Sequence, residues 1–493
     1  MISFMKENYL KNISLKNLDL SDNFKNFLIN NLNFDQLIAV INFNGHFLVI
    51  AGAGSGKTRT IIYRALLLIE LKIPSKNILI LTFTRKAINE IKTRISSFLP
   101  DSNICIETFH SLAYRYLKKY SQNKCFKILT TDDALVLAKK TPLYDNILKN
   151  FSKDILIKII SLTSSSILKE YYFKKLDEKS KTLIINFLNN FELLKKTENF
   201  YSFNDLLIQF YKLLSLNLII IDFQYIMVDE YQDTDNLQVH ILKLLAKNSN
   251  LMVVGDDYQS IYGFKGTSME NILNFSNEFP NVKTIILKEN YRSTNPILHL
   301  SNEFSKKLKY CFRKSLITKD SSLKKPNLNI FKNHFNEISF IFDKIKDILE
   351  LNPTATIGIL FRNFIYMEEF IKFFESSNIK FNVASNPFLE NIFKHKFYNT
   401  NITLSFLTIH SSKGLEWDYV FIPLLLEGII PSSIGDALNL EEEKRLFYVA
   451  LTRAKKELFL SYPLSFYGDF GLFKTPSQFI ENIDSSFFNI KRG

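Results

Sequence analysis

Two neighbouring carboxylates, Asp229 and Glu230, end the apolar run Ile226-Met-Val228. An acid at the end of a buried strand can hold Mg²⁺, and its neighbour can take a proton from an attacking water. That pair suits phosphoryl transfer once phosphates are held nearby. The chain supplies a holder in Ala51-Gly-Ala-Gly-Ser-Gly-Lys-Thr58. Gly52, Gly54 and Gly56, with Ala53 and Ser55 between them, let backbone N–H groups point at phosphate oxygens, and a following helix N-terminus adds partial positive charge. Lys57 would reach the outer phosphates and the Thr58 hydroxyl would hold Mg²⁺. The usual phosphate-loop pattern begins with Gly, where this chain has Ala51. Arg59 follows directly.

The elements around these residues fit an α/β frame. Phe47–Ile50 reads as a buried strand before the loop, and Arg59–Ile69 has apolar residues at helical spacing. Ile78–Phe83 reads as a second strand and Lys86–Phe98 as an amphipathic helix. Thr82, Phe83, Thr84 and Arg85 fall at a strand's C-terminal end, where open parallel sheets bind ligands. A hydroxyl, an aromatic and a cation suit a nucleotide strand, with base stacking on Phe83; Phe83 closing the core is an equally good reading. Gln36 can both donate and accept, as reading an adenine edge requires, behind a helix cap at Asn33 or Asp35; taken alone it reads as a surface glutamine. A third short strand precedes Thr108-Phe-His-Ser-Leu-Ala113. From Tyr114 to about Tyr201 the pattern becomes Lys-rich amphipathic helices without strand-like runs, an α-helical insertion. Residues 1–31 carry no motif.

Further along, Leu251–Asp256 is a strand leading to Gln259, an amide placed to sense a terminal phosphate. Tyr262 and Phe264 offer stacking faces to bases. The strand Lys283–Leu287 precedes Tyr291, an aromatic for a nucleobase, and Arg292, a phosphate clamp. A second α/β unit has strands at Thr356–Arg362, Leu404–His410, Tyr419–Leu424 and Glu457–Tyr462, with a helix at Glu441–Leu451. It has no phosphate loop of its own, so it is expected to complete the first site with Glu416 and Arg453.

The totals bound the class. The 493 residues allow two or more domains. A net charge of +13 favours an anionic partner, nucleic acid first. Cys105, Cys125 and Cys311 have no paired spacing, so neither a disulfide framework nor a zinc site is indicated. No apolar run reaches membrane-spanning length, and a secretory signal is not evident. The expectation is a soluble cytoplasmic protein.

Taken together, eight segments resemble the UvrD/Rep/PcrA family of superfamily 1 DNA helicases: the loop Ala51–Thr58, Thr82-Phe-Thr-Arg-Lys-Ala87, Thr108-Phe-His-Ser-Leu112, Asp229-Glu-Tyr-Gln-Asp-Thr234, Gly255-Asp-Asp-Tyr-Gln-Ser-Ile-Tyr-Gly263, Asn290-Tyr-Arg-Ser-Thr294, Thr408-Ile-His-Ser-Ser-Lys-Gly-Leu-Glu416 and Tyr448-Val-Ala-Leu-Thr-Arg-Ala454. They stand in the family's order, and alanine at the loop's first position is the family's own habit. The resemblance implies two RecA-like parallel-sheet cores of the P-loop NTPase class, the first at 1–113 and 201–285 with the helical insertion at 114–200, the second at 286–493. It implies ATP and Mg²⁺ as cofactors and single-stranded DNA and its junctions with duplex as partners, with 3′-to-5′ movement in DNA repair or replication. A monomer or weakly self-associating protein is expected.

By the same resemblance Gln36 contacts adenine, Tyr291 stacks on it and Glu416 touches the ribose. Asp229 binds the metal and Glu230 is the catalytic base. Gln259 couples the γ-phosphate to the DNA site, and Arg292 and Arg453 clamp that phosphate. Phe83, Tyr262 and Phe264 stack on bases; His410, with Thr84, Arg85 and His110, contacts the strand. Tyr467 falls where the family has its strand-separating hairpin. The family has tryptophan at Phe264, arginine at Lys265 and an acid at Asn204. The chain departs most at 386–404, where the family inserts an accessory domain, 2B, and only a short run stands here; nor is room expected for an added C-terminal domain. Two other functions fit: a translocase that displaces bound proteins and unwinds weakly, and a non-motor ATP-gated nucleic-acid-binding protein.

Overall fold

Six strands assemble around β1 (His46–Ala51). The other five are β2 (Ile78–Leu81), β3 (Cys105–Glu107), β6 (Tyr225–Val228), β7 (Asn250–Gly255) and β8 (Lys283–Leu287), in the order β3-β2-β6-β7-β1-β8, so β1 lies between β7 and β8. The pairs β2/β3, β2/β6 and β6/β7 are parallel. Both β2 and β6 are buried along their whole length. That is why they are continuous apolar runs: a sheet covered on both faces needs no alternation. Loops that leave β1, β2, β6 and β7 at their C-terminal ends carry the phosphate loop, Phe83, the Asp229-Glu230 pair and Asp256, as in open parallel sheets. The computed structural model describes residues 18–121, 125–161, 173, 176–263, 269–377, 379–384, 403–432, 440–465 and 475–493.

The helical stretch has its own core, in which Leu137, Ile147, Leu156, Ile184, Phe187 and Phe191 are buried together. Its helices are Thr131–Lys139, Tyr144–Asn150, Lys153–Ser161 and Glu178–Thr197. The expectation of no strand there is corrected: β4 (Lys127–Ile128) and β5 (Phe200–Tyr201) form a parallel two-residue ladder that ties the stretch at its base. Two residues are too few to write an alternating pattern. The helix Phe109–Tyr120 runs unbroken through residue 113 and packs on the helix Phe203–Ser215. Lys195 reaches Asp205 of that second helix at 2.8 Å, so an acid one residue after Asn204 provides the charge contact.

A second sheet has seven strands, all parallel, in the order β11-β12-β10-β13-β14-β9-β15. They are β9 (Asn327–Asn333), β10 (Ile357–Phe361), β11 (Asn382–Ala384), β12 (Leu404–Thr408), β13 (Trp417–Ile422), β14 (Ala454–Ser465) and β15 (Asn489–Arg492). Polar residues hide β9, whose Asn327 and Asn329 are buried all the same. β14 runs beyond the Glu457–Tyr462 expected for it at both ends: Ala454 pairs with Trp417 of β13 ahead of two lysines, and Pro463 and Ser465 pair with β9, residues that break an apolar run. Glu337 on the helix His334–Leu351 takes hydrogen bonds from the Ser461 hydroxyl on β14, at 2.5 Å, and from the Leu424 amide, at 3.1 Å.

Two compact units divide the described chain. The first comprises residues up to Val49, Lys57–Gly255 and Tyr262–Ile285; the second comprises Ile50–Gly56, Asp256–Ile261 and the chain from Ile286 onward. No described helix is long and apolar enough to cross a membrane.

Candidate active site

In the first unit, two pairs of groups meet. The Thr58 hydroxyl donates to Asp229 Oδ2 at 3.3 Å. Lys57 Nζ lies 3.5 Å from Glu230 Oε1. Lys57 and Thr58 open the helix Lys57–Glu70, while the two acids follow β6, so the parallel sheet brings together residues far apart in sequence. Glu230 sits in the left-handed region at φ 51°, ψ 42°, a conformation that costs a side-chain-bearing residue energy and is kept where geometry is over-determined. The Gln232 amide donates to Glu230 Oε2, and Asp229 Oδ1 accepts from the Glu230 backbone N–H at 3.0 Å.

Burial raises the Asp229 carboxyl well above the usual carboxylate range; the Glu230 charge adds to this and Lys57 opposes it. A buried acid in that state is short of positive charge. The donors beside it are hydroxyl and carboxylate oxygens, the hard ligands Mg²⁺ prefers, and one or two protein oxygens suffice when phosphates supply the rest. The residues present therefore fit Mg²⁺ bound with a nucleotide. Among the described residues there is no cluster of three or more His, Cys, Asp or Glu to hold a metal by itself.

Gln36 is 1% exposed, which corrects its reading as a surface residue. It closes a capping box: the Gln36 N–H donates to Asn33 Oδ1 at 2.8 Å, and Gln36 Oε1 accepts from the Asn33 N–H at 3.2 Å. That fixes its amide at the start of the helix Phe34–Ile41. Arg59 is exposed, lies 5.3 Å over the Tyr63 ring and donates to Asn31.

In the second unit, the loop Ile50–Gly56 is held by its own turn and by the segment after β8. Gly54 and Gly56 have φ of +69° and +83°, which glycine adopts without strain. The Ser55 hydroxyl donates to the Gly52 carbonyl at 2.8 Å. Asn290 Nδ2 donates to the Ala53 carbonyl at 2.6 Å, and the Tyr291 N–H to the Gly54 carbonyl at 2.9 Å. Asn290 Oδ1 in turn accepts from the N–H groups of Arg292 and Ser293, both at 2.9 Å. Space here is tight: a Cβ on Gly54 would stand 2.6 Å from the Cβ of Arg292.

Both arginines are oriented. Arg292 Nε donates to Glu416 Oε2 at 2.6 Å and Nη1 to the Thr452 carbonyl at 3.1 Å. Burial works upward on Glu416, but Arg292 and Lys455 together hold its carboxyl below the usual range. Arg453 is buried; Nε donates to the Val449 carbonyl at 2.9 Å, Nη1 to the Leu415 carbonyl at 3.1 Å and Nη2 to Gln259 Oε1 at 3.3 Å. Gln259 Nε2 donates to Asp256 Oδ2 at 2.6 Å, and the Gln259 carbonyl accepts from Lys413 Nζ at 2.7 Å. Tyr291 is 55% exposed and lines a cavity of about 440 Å³ with Arg292, Thr294, Thr318, Asp320 and Lys455.

Of the residues expected on a nucleic-acid strand, Phe83 and Tyr262 meet in the first unit, with rings stacked at 6.2 Å and 11°. Phe83 is 38% exposed, so it does not close the core. The Thr84 hydroxyl caps the helix Arg85–Ser96 by accepting from the Ala87 N–H at 3.1 Å, and Arg85 is exposed at the first position. His110 packs edge-on against Phe203, and burial lowers its pKa. In the second unit, His410 lies in the turn after β12. Phe264 and Tyr467 lie outside the described residues, as does most of 386–404.

The sequence reading missed Asn290, Asp256 and Lys314. Lys314 Nζ lies 2.9 Å from Asp256 Oδ1 and also pairs with Asp257, all three side chains fully buried. The signal for Asp256 and Asp257 was their place directly after β7; Lys314 has none in the sequence.

A phosphate loop opening a helix, an acid pair at the end of β6 whose Asp229 is buried, and RecA-like parallel sheets define a P-loop nucleotide hydrolase. Within that class the chain belongs to the UvrD/Rep helicase family, and it is a helicase that hydrolyses ATP. The UvrD/REP helicase N-terminal domain matches residues 32–280, and the UvrD-like helicase C-terminal domain matches 285–394 and 390–465. A probable DNA helicase of Mycoplasma pneumoniae is 31% identical over 92% of this chain and 87% of its own length. A probable DNA helicase II homolog of Mycoplasma capricolum is 29% identical over 94% of this chain and 89% of its own. The ATP-dependent DNA helicase PcrA of Bacillus subtilis is 35% identical over 68% of this chain but only 48% of its own.

Proposed function

We propose that this helicase is a motor on single-stranded DNA, moving 3′ to 5′ and separating strands at junctions with duplex. The observation that carries the track is the near-parallel pair Phe83–Tyr262, with Phe83 exposed beyond the end of β2 and Tyr262 half-buried. Aromatic faces accept any base, as a motor that ignores sequence requires. Names of the relatives, all DNA helicases, support DNA over RNA, and polarity comes from the family resemblance.

In this reading Lys57 and the loop N–H groups would hold the phosphates, and Thr58 with Asp229 would hold Mg²⁺, which would neutralise phosphate charge. Glu230, aimed by Gln232, takes the proton of the attacking water. Arg292 and Arg453 stabilise charge on the transferred phosphoryl group, and Gln259 reports its presence. Tyr291, Gln36 and Glu416 hold the nucleoside; Thr84, Arg85, His110 and His410 contact the strand, with Phe264 and Tyr467 as further contacts. Residues 1–113 with 201–285 and 286–493 act as the two cores and 114–200 as the accessory insertion. The protein works in the cytoplasm as a monomer or weak self-associate, in repair or replication.

A second reading has its own support. The C-terminal family match breaks at 390–394, where an accessory domain would be inserted. The alignment with the Mycoplasma capricolum relative runs over 649 positions, more than this chain has, so that relative carries residues this one lacks. On this reading the chain translocates and strips bound proteins but unwinds weakly. Duplexes tailed on the 3′ or the 5′ strand test both: unwinding of the 5′-tailed substrate alone refutes the polarity, and long-duplex unwinding by a monomer refutes the second reading.

A further inference from the structure

The segment from Lys306 to Pro326 joins the helix Asn295–Ser305 to β9 and contains no helix or strand of its own. Three of its residues nonetheless reach the second unit's nucleotide-site groups. The Ile317 carbonyl accepts from the Asn290 N–H at 2.7 Å. The Leu316 side chain fills the space where a Cβ on Gly52 of the phosphate loop would stand, 2.5 Å away. Lys314 enters a fully buried pair of carboxylates, Asp256 and Asp257, and lies 3.5 Å from the centre of the Tyr258 ring.

The two buried carboxylates share Lys314, and the Asp257 carbonyl also accepts from Arg445 Nε at 3.2 Å. On Asp256, Oδ1 faces Lys314 and accepts from the Tyr258 N–H at 3.1 Å, and Oδ2 accepts from Gln259 Nε2 at 2.6 Å. An ionised carboxylate can only accept, so it obliges Gln259 to turn its NH₂ toward Asp256. The amide oxygen is then left facing Arg453 Nη2 at 3.3 Å. Without Lys314, Asp256 Oδ1 loses the ion pair that holds its carboxylate in place, and the Gln259 amide loses a fixed acceptor; its NH₂ is then no longer held away from the Arg453 guanidinium, where it would stand donor against donor.

We propose that Lys314 is a positioning residue for ATP turnover: by anchoring the Asp256 carboxylate it fixes which end of the Gln259 amide faces Arg453. This rests on the reading that Gln259 and Arg453 address the terminal phosphate. The test is a double-mutant cycle on the full chain, reading single-turnover and steady-state hydrolysis of Mg-ATP with oligo(dT) present. Lys314→Met is expected to lower kcat about tenfold or more while the KM for ATP stays within about threefold, and Lys314→Arg to retain kcat within about threefold. The Lys314→Met/Gln259→Ala double variant should be no slower than Gln259→Ala alone, because the lysine acts through that amide. If the two effects multiply, or if Lys314→Met leaves kcat unchanged, the proposal is wrong. Should Lys314→Met fail to fold by circular dichroism, Asp256→Asn replaces it in the cycle, with the same non-additivity expected. A wild-type chain without ATP turnover overturns the functional reading and this proposal together; an active wild type with multiplying effects overturns this proposal alone.

Discussion

Glu337 gives the second unit a pH dependence whose size follows from its surroundings. Its side chain is fully buried, Oε1 takes two hydrogen bonds, and Oε2 has no partner among the described residues. Burial outweighs those two bonds and pushes the carboxyl up from 4.5 to about 7. The folded chain therefore binds this proton more tightly than the unfolded chain does. Below the unfolded value both states are protonated and the group is neutral to stability. Between about pH 4.5 and 7 only the unfolded state releases the proton, so stability falls as pH rises, by about 1.4 kcal/mol per pH unit. The loss levels off above pH 7 at about 3 kcal/mol. Glu337→Gln keeps an oxygen for Ser461 and Leu424 but cannot titrate. Its own packing offset is independent of pH, so the difference between the two proteins isolates the carboxyl. Urea unfolding at pH 5, 6, 7 and 8, followed on the transition of the second unit, should show the wild type losing about 2.5 kcal/mol more than the variant across that range. Parallel curves for the two proteins would refute the argument that this carboxyl is buried and short of partners.

Other perturbations separate binding from chemistry. Glu230→Gln should abolish turnover while a fluorescent ATP analogue still binds, measured by stopped flow and titration. Asp229→Asn should remove Mg²⁺-dependent hydrolysis yet raise the melting temperature of the nucleotide-free protein at neutral pH: burial raises this acid's folded pKa, so the wild type loses stability as pH rises through its shifted range and the amide does not. Gly54→Ala forces a side chain into a left-handed turn and against Arg292, so ATPase activity should fall below detection even where the fold survives. Phe83→Ala and Tyr262→Ala should each weaken oligo(dT) binding by about 1–3 kcal/mol in fluorescence anisotropy, with little change across base composition.

Legibility in the sequence followed the physics of each element. Phe47–Ile50 and Ile226–Val228 could be read because a strand buried on both faces must be an unbroken apolar run, and the residues after each run were then placed at strand ends, where ligands bind. The pairings Thr58–Asp229 and Lys57–Glu230 follow from that placement alone. β9 could not be read, because Asn327 and Asn329 are buried in it with their polar groups satisfied by neighbours, which cancels the hydrophobic signal. Gln36 was read as exposed for the reverse reason: its residue type says surface, while the capping box it closes is visible only as the spacing Asn33-x-x-Gln36. Lys314 was the hardest case. Its segment has neither the period of a helix nor that of a strand, and a lysine reads by default as a solvated charge. Only the fold shows that Asp256 and Asp257, two adjacent acids buried after β7, leave a deficit of positive charge that a chain segment some 57 residues later must fill. A motif of adjacent acids at a buried strand end therefore predicts a cation, either an ion or a distant side chain. Asp229 and Glu230 have Lys57 beside them and a raised Asp229 to show for it. Asp256 and Asp257 have their cation built in. The first pair is thus the one left short of charge for a metal, and the second the one fixed to hold Gln259 in place.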